Sequence, residues 1–398
     1  MPQTAADSDE YEICTTNSPV PGTDLWRHVV RRTSNPRQRR RKRSMFQKKN
    51  TRDTTARFVP LLKCGPFPWG PGKKRCCSKD ADKPARKPEG MWNRDLKLKA
   101  LLISVTGCAA FALLIRHRMR FDFYSAGTVL GTVVLLLPFA VSFEGRDLRH
   151  FSNLLTGFLC MVVFNLFLTI LTYAGTPLNA PLTDSLLMQY DAALGIHLPS
   201  IVDWFQQHPT LNRFFHLIYY SVLPSTLLAL IVLGLDADVR RLREFVMHYM
   251  LAGLITTLIY FVMPAEAPAQ TFGYGQTAAQ LSFIEHFHAL RSGHFSVVSM
   301  NNLEGLVTFP SFHTTWALLI AYSLRHYRRL FGPMLLLNAG VAISTVTTGW
   351  HYGIDVIGGL LVAALAVMIT RAASTWLHAD AAKPHGLLLR GAEPAVVE

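Results

Sequence analysis

Long apolar runs recur along the last three quarters of the chain, and short polar segments separate them. Each run is close to the ~20 residues that a helix needs to cross about 30 Å of hydrocarbon. The runs are rich in Leu, Val, Ile and Ala without period-two alternation, which favours helices over a membrane barrel. The pattern therefore predicts an all-α, polytopic membrane helix bundle with about eight spans, at residues 98–116, 122–143, 153–174, 213–234, 245–263, 310–326, 331–349 and 352–373.

Two longer polar segments interrupt these runs. Residues 175–212 carry apolar side chains at helical spacing, which predicts an amphipathic helix on the membrane surface; they are Leu186, Leu187, Tyr190 and Leu194. Residues 264–309 form the longest internal loop of the membrane region. Because a long loop in a compact protein is usually functional, we expect this segment to contribute to a site.

The positive charge of the chain is concentrated at its start. The first 100 residues hold 24 Lys and Arg and 10 Asp and Glu. Their net charge is therefore +14, the same as the net charge of the whole chain. This composition predicts a disordered basic tail beside anionic lipid. The basic run 39–43 has an alternative interpretation as a nucleic-acid or nuclear-localisation signal. Since Met91 precedes basic residues and an apolar run, a further hypothesis places the true start there.

The distribution of arginines predicts which side of the membrane each connection occupies. The connections 144–152, 235–244 and 327–330 all contain arginine, so we expect them in the cytoplasm together with the tail. The connection 117–121 also carries arginines but would lie outside, an exception to this rule. The expected location is the cell (inner) membrane, with the long loops on the non-cytoplasmic side.

Two groups of side chains have the composition of a metal site without its spacing. Cys64, Cys76 and Cys77 lack the paired spacing of a zinc site. The long loop holds three histidines, with Glu285 as the one nearby carboxylate; they are His286, His288 and His294. We therefore expect no metal and no cofactor. The six cysteines also imply no disulfide framework, because none falls in a loop expected outside the cytoplasm.

Three residues near the ends of the last apolar runs have the types needed for phosphoryl transfer. His351 and Asp355 are four apart, so on a helical backbone they would share a face. A carboxylate there would orient the imidazole and leave its other nitrogen free to attack. His313 begins the sixth run and would protonate a leaving oxygen. Ser311 and the amides at this helix start would bind an anion.

The alternative is that these histidines are ordinary polar residues at the membrane border. An ionisable residue inside an apolar run, such as Asp355, is by default functional. Two histidines and an aspartate at compatible depth therefore favour a catalytic site that needs no metal.

Two stretches resemble motifs of the type 2 phosphatidic acid phosphatase superfamily. "FPSFHTTWA" is similar to its Pro-Ser-x-His motif, and "STVTTGWHYGIDVIGG" resembles the motif that follows, with Ser344, His351 and Asp355 in register. Thr345 stands where the general motif has arginine, and the lysine-containing first motif is not found before Pro310. These departures resemble the inositol phosphorylceramide synthase-like (inositol phosphotransferase) branch, over roughly residues 150–375.

The resemblance implies roles for the site residues. It implies that His351 is the nucleophile that forms a phosphohistidine, that Asp355 is its partner, and that His313 is the acid for the leaving group. From its place in the same motif, we expect Ser344 to bind the phosphate or the substrate, as we expect of Ser311. Because Thr345 replaces an arginine, the phosphate charge must be met elsewhere. Arg291 in the long loop is our candidate, since arginine binds phosphate bidentately; the alternative is a solvated loop arginine.

The prediction is a membrane enzyme with a six-helix phosphatidic acid phosphatase-like core and two additional N-terminal spans. Its parts are a tail at 1–95, two helices at 96–145, a catalytic core at 150–376 and a C-terminal tail at 377–398. We expect a lipid substrate in the bilayer and no nucleic-acid partner; the oligomeric state stays open. The sequence allows three functions. In order of preference, they are lipid phosphotransfer, lipid phosphate hydrolysis and non-catalytic lipid binding.

Overall fold

The computed structural model describes residues 94–146, 148–274 and 277–381, with side chains through residue 373. Nearly all of the predicted basic tail at 1–95 and most of the C-terminal tail at 377–398 lie outside these residues. The first turn of the last helix lies within the described residues.

The described part of the chain is mostly helical. Its α-helices in chain order are α1 Arg94–Arg116, α2 Gly127–Gly145, α3 Arg149–Gly175, α4 Asp184–Ala193, α5 Leu198–Gln206, α6 Pro209–Tyr220, α7 Val222–Gly234, α8 Arg240–Val262, α9 Pro268–Phe272, α10 Ala278–Arg291, α11 Phe312–Ser323, α12 Arg328–Thr347 and α13 Gly353–Ala381. Short 3-10 turns occupy Thr176–Leu178 and Met300–Asn302, and two-residue strands β1 and β2 occupy Arg120–Phe121 and Val297–Val298.

Seven helical segments of this part of the chain are long and apolar enough to cross a membrane. They are Arg94–Arg116, Gly127–Gly145, Arg149–Leu178, Pro209–Gly234, Arg240–Val262, Arg328–Thr347 and Gly353–Ala373. The prediction of an all-α polytopic membrane bundle is thereby confirmed. The remaining predicted span, 310–326, is the 12-residue helix α11, which is shorter than the ~20 residues needed to cross the hydrocarbon.

Helix α11 lies at the centre of the bundle. It packs against α7, α8, α12 and α13, and Ala317, Leu319 and Ile320 on it are almost completely buried. Helix α3 packs against α7 and α8 on the same core, whereas α1 and α2 pack mainly on α3. The bundle therefore consists of a core around α11 with α1 and α2 added at its side.

Close contact between α11 and α13 depends on glycine. A Cβ atom added at Gly359 would lie 2.5 Å from the carbonyl oxygen of Ser311. The Thr315 hydroxyl donates to the Gly359 carbonyl oxygen at 2.9 Å, which joins the two helices at the same level. Glycine at 359 therefore permits the two helices to pack closely at this level.

The connections at one end of the bundle contact one another. Strands β1 and β2 pair in parallel, so the α1–α2 connection lies beside the long loop. The Thr183 amide donates to the Pro264 carbonyl oxygen at 2.9 Å, which joins the start of α4 to the same loop. The arginines of 117–121 therefore lie at the end of the bundle that carries the long loop, as the predicted exception requires.

Helix α4 lies in the segment predicted to hold an amphipathic helix on the membrane surface. Of the four apolar residues only Leu187 is buried, whereas Leu186, Tyr190 and Leu194 are exposed. The buried side of the helix carries Asp184 and Asp191 together with Leu187. The apolar spacing therefore identified the helix, and contact of its exposed apolar residues with the membrane surface stays a prediction.

Candidate active site

His351 lies in the short connection between α12 and α13. Gly349 adopts a left-handed conformation with φ of +78° after the last turn of α12, where glycine is favoured because it has no Cβ. Residues 350–352 then lead into α13. The expectation that His351 shares a helical face with Asp355 is therefore wrong in its premise, since His351 precedes the helix. The two side chains nevertheless meet.

The His351 ring is oriented by two oxygen atoms. Its Nδ1 lies 2.7 Å from the Thr308 carbonyl oxygen and 3.3 Å from Oδ2 of Asp355. A carbonyl oxygen can only accept, so Nδ1 carries the proton and Nε2 keeps its lone pair. Burial lowers the pKa of His351 to about 4, because the charged ring is poorly solvated there. The ring is thus neutral and oriented at pH 7, with Nε2 unprotonated.

Asp355 is held in turn by the first residues of its own helix. The Tyr352 amide donates to Oδ2 of Asp355 at 2.9 Å, the contact that the third helical residue makes with the N-cap in a capping box. Asp355 and His351 are 0% and 4% exposed. The pair is therefore sealed from solvent on the carboxylate side.

His313 lies in the first turn of α11 and faces the same space. Its ring centroid is 6.4 Å from that of His351. The Tyr219 ring stacks on His313 at 4.3 Å between centroids, and the Tyr219 hydroxyl lies 3.2 Å from Nδ1 of His313. This contact occupies Nδ1 and leaves Nε2 for proton transfer to or from a bound molecule.

Ser311 connects the starts of α11 and α13. Its hydroxyl accepts from the Thr314 amide at 3.3 Å as the N-cap of α11, and its own amide donates to the Asp355 carbonyl oxygen at 3.1 Å. The side chain is fully buried and does not line the cavity described below. Ser311 therefore fixes His313 relative to Asp355, and its contact with phosphate stays a prediction.

The other two predicted binding residues, Arg291 and Ser344, donate hydrogen bonds to backbone carbonyl oxygens. Arg291 donates through Nη2 to the Ala180 carbonyl oxygen at 2.9 Å, and its guanidinium lies over the Phe287 ring. Ser344 is fully buried on α12 and donates to the Val341 carbonyl oxygen at 2.6 Å. Neither lines the cavity beside the histidines, so a phosphate contact from either stays a prediction.

A cavity of about 610 Å³ contains both histidines. Helices α3, α6, α7, α8, α10 and α11 and the segment 303–308 form its wall. Among the described residues that line it, the only Asp, Glu, Lys or Arg is Glu304. Hydroxyl groups and aromatic rings provide the rest of its polar character, including Thr256, Tyr219 and Trp350. The cavity is large enough for a lipid head group.

A second, more apolar cavity of about 270 Å³ adjoins the first. The two share the lining residues Asn165, Leu223, Met300 and Trp316. Otherwise the second is lined by aliphatic and aromatic side chains of α2, α3, α7 and α8, of which Leu227 and Phe158 are examples. We call it the apolar groove.

The histidines of the long loop do not gather at one point. His286 lies 3.1 Å from the Tyr173 hydroxyl, His288 lies 3.5 Å from Glu266, and His294 contacts Ser292. Within the described ranges, no three His, Cys, Asp or Glu side chains are arranged to hold a metal ion.

Several residues around the histidines had no signal in the sequence. Thr308 acts through its backbone carbonyl, which any residue would supply. Tyr219 comes from the middle of an apolar run and reaches His313 only because α6 packs against α12 beside it. Glu304 could have been noticed as an isolated charge just before "FPSFH", within a loop expected to be functional.

Comparison with known proteins gives one match. Residues 185–369, just under half of the chain, match the family model of the PAP2 superfamily. No curated protein and no solved structure matches the chain. The matched residues include His313, His351 and Asp355, so the part of the chain that forms the site is similar to the PAP2 superfamily, which supports a lipid enzyme of phosphatase or phosphotransferase type.

Proposed function

We propose that this protein transfers a phosphoryl or phosphoalcohol group from a lipid phosphate or phospholipid through a phosphohistidine on His351. The observation that carries the proposal is the hydrogen bonding of His351. Its Nδ1 donates to the Thr308 carbonyl and to Asp355, so Nε2 is free beside a cavity that also contains His313. This is the arrangement expected of a nucleophilic histidine with a separate acid.

The first half-reaction forms a bond between Nε2 of His351 and phosphorus. The bond from phosphorus to the lipid alcohol oxygen breaks, and His313 gives its proton to that oxygen. Asp355 and the Thr308 carbonyl stabilise the positive charge that develops on His351, because both accept from its Nδ1. In the second half-reaction, His313 takes a proton from an acceptor hydroxyl, which attacks phosphorus and releases His351.

Phosphate charge in this scheme is met without a lysine or arginine from the described cavity lining. The amides at the start of α11 supply positive electrostatic potential. Burial lowers the pKa of His313 to about 3, so in this scheme His313 carries its proton only while a phosphate anion is bound beside it. No step requires a metal ion.

The apolar groove supports a lipid substrate. It joins the histidine cavity and is lined by side chains of helices that are long enough to cross a membrane. A hydrocarbon chain in the groove would leave its phosphate beside His351. We further propose that the site faces the non-cytoplasmic side of the cell membrane, on the strength of the arginine distribution.

An inositol-type lipid is our preferred substrate or product. The "FPSFH" and "HYGID" motifs resemble the inositol phosphotransferase branch, and Glu304 supplies a carboxylate that can accept hydrogen bonds from polyol hydroxyls. The second candidate is a lipid phosphate phosphatase, which differs only in using water as acceptor. Threonine hydroxyls in the lining, such as Thr169 and Thr257, would hold that water.

A chase experiment distinguishes the two candidates. Purified protein is incubated with phosphatidylinositol or phosphatidic acid labelled on phosphorus, then with an excess of a lipid alcohol such as ceramide or diacylglycerol. The transferase proposal predicts label in a new lipid, and label only in inorganic phosphate or free phosphoalcohol would leave the phosphatase. Turnover of neither lipid by wild type, together with unchanged binding by His351→Ala, would support a lipid-binding protein.

A further inference from the structure

Helix α4 carries two buried carboxylates that contact residues 352–354, the segment between His351 and Asp355. Asp184 and Asp191 are seven residues apart, two helical turns, so both project from the side that carries the buried Leu187. Asp184 is 9% exposed and Asp191 is 3% exposed. Carboxylates are rarely buried unless they are fully hydrogen-bonded, so the contacts of this pair need a reason.

Asp191 caps the helix that carries Asp355. Its Oδ2 accepts from the Gly353 amide at 2.8 Å, and its Oδ1 accepts from the Ile354 amide at 2.7 Å. These are the first two residues of α13, whose amides have no partner within the helix. A side chain at 353 would disturb the contact, because an added Cβ would lie 2.5 Å from Ile196 and 3.2 Å from Asp191.

Asp184 holds Tyr352, the residue that follows His351 in the chain. Its Oδ1 accepts from the Tyr352 hydroxyl at 2.9 Å, and both of its oxygens accept from the Glu266 amide, at 3.1 and 3.0 Å. The Tyr352 side chain is completely buried, and its hydroxyl also lies 2.9 Å from Thr271. Asp184 thus joins the connection 350–352 to the long loop.

The two carboxylates together immobilise residues 352–354. These residues lie between His351 and Asp355, and the Tyr352 amide is itself a donor to Asp355. A shift of this segment would change the distance from Nδ1 of His351 to the carboxylate of Asp355. Since a misplacement of about 1 Å can cost roughly 100-fold in rate, a rigid support of this kind has a catalytic consequence.

We propose that Asp184 and Asp191 are positioning residues, which orient His351 against Asp355 through residues 352–354. The inference rests on the proposed function, because it concerns how the nucleophile of that reaction is held. It assigns α4 to the catalytic apparatus, although neither carboxylate lines the cavity. A purely structural cap would stabilise α13 without any specific effect on His351.

The test compares Asp191→Asn with wild type and with Asp203→Asn, which removes an exposed carboxylate from the neighbouring helix α5. Each full-length protein is purified and reacted with phosphorus-labelled lipid, and the single-turnover rate of acid-labile label on the protein is measured per folded molecule. Asparagine keeps the shape of the side chain but can satisfy only one of the two amides. We expect the labelling rate of Asp191→Asn to fall about 10-fold or more, and that of Asp203→Asn to change less than about two-fold.

A double variant separates positioning from stability. Added to Asp355→Asn, Asp191→Asn should cost less than about three-fold, because both changes disrupt the same interaction and their effects are not additive. Tyr352→Phe removes only the hydroxyl that donates to Asp184, and it should lower the labelling rate by about three-fold or more. This variant replaces Asp191→Asn in the test if Asp191→Asn fails to fold.

Two results would overturn the inference. The first is a normal labelling rate per folded molecule in Asp191→Asn or Tyr352→Phe, with only the melting temperature reduced. The second is full additivity of Asp191→Asn with Asp355→Asn. Absence of label on wild type itself would reject the proposed function and this inference with it, and that outcome is recognised without any variant.

Discussion

At the scale of single residues, the orientation of His313 depends on a side chain from another helix. Tyr219 stacks on the His313 ring and places its hydroxyl 3.2 Å from Nδ1. Tyr219 also lies parallel to Trp350, one residue before His351. One tyrosine thus contacts the surroundings of both histidines, and its two properties, the flat ring and the hydroxyl, can be tested separately.

Tyr219→Phe keeps the stacked ring and removes the hydroxyl. We expect kcat on a lipid substrate to fall about three- to ten-fold, the loss of one hydrogen bond, with KM nearly unchanged. Tyr219→Ala should cost about 100-fold, because the His313 ring also loses its packing. Tyr220→Phe, the same change at the neighbouring residue of the cavity wall, is the control. Equal kcat for wild type and Tyr219→Ala would show that the stacking does not orient His313.

The sequence predicted the meeting of His313, His351 and Asp355, because residue type and spacing limit how they can be arranged. It could not predict the Thr308 carbonyl, which is the shorter contact of His351, or the carboxylates of Asp184 and Asp191. Backbone contacts and contacts between distant segments leave no local pattern. Arg291 was chosen for its charge and its loop, and its guanidinium instead contacts Ala180 and Phe287.

At the scale of helices, the site depends on how closely α11 approaches α13. Ser311 donates to the Asp355 carbonyl oxygen from the start of α11, and Gly359 lies one turn further along α13 against the Ser311 carbonyl. The contact sets the separation of His313 from His351. A larger residue at 359 would have to move backbone atoms, which yield less readily than a flexible side chain.

Gly359→Ala should therefore lower both stability and activity. Overpacking of a tight core costs about 1–3 kcal/mol, and here the added Cβ would lie 2.5 Å from a carbonyl oxygen. Gly131→Ala on α2, where nothing lies within 4 Å of the added atom, is the matched control and should be neutral or slightly stabilising. Thermal unfolding and turnover measured on the same preparations check this. A melting temperature for Gly359→Ala at or above that of wild type would contradict the packing argument.

Apolar run length predicted seven helical segments that are long and apolar enough to cross a membrane in the described part of the chain, and it failed for α11. Helix α11 is shorter than the predicted span because the chain before Ser311 belongs to the loop that supplies Thr308, and because the helix ends at Ser323, just before the polar residues Arg325 and His326. For α4, the apolar spacing predicted the helix but gave no sign of the buried carboxylates of Asp184 and Asp191, because their partners lie in distant segments of the chain. Helix α10 within the long loop was not predicted, despite the capping box of Thr277 and Gln280.

At the scale of the whole molecule, the histidine cavity and the apolar groove lie side by side and share four lining residues, which are Asn165, Leu223, Met300 and Trp316. The head group and the chain of a single lipid would occupy them together, with Trp316 and Leu223 at the junction. Helix α2 contributes to the groove, so the additional pair α1 and α2 would take part in holding substrate as well as covering α3.

Leu227→Trp should obstruct the groove for long chains. Both Leu227 and its neighbour Leu228 are partly exposed, but only Leu227 lines the groove, so Leu228→Trp is the control. We expect KM for a long-chain lipid to rise about 10-fold, equivalent to roughly two displaced methylene groups, and KM for a short-chain analogue to change little. Steady-state kinetics on a chain-length series measures both. An equal rise in KM for short and long chains would argue against a chain in this groove.

The central claim is that His351 carries the phosphorus between donor and acceptor, and one measurement tests it most directly. Purified wild type is quenched after a single turnover with phosphorus-labelled lipid, and the labelled residue is identified by mass spectrometry. The account predicts acid-labile label on His351. The label should be absent in His351→Ala and should still form in a variant of His294, which lies in the long loop. Turnover of the lipid by wild type with label on another residue, or undiminished turnover by His351→Ala, would contradict the account.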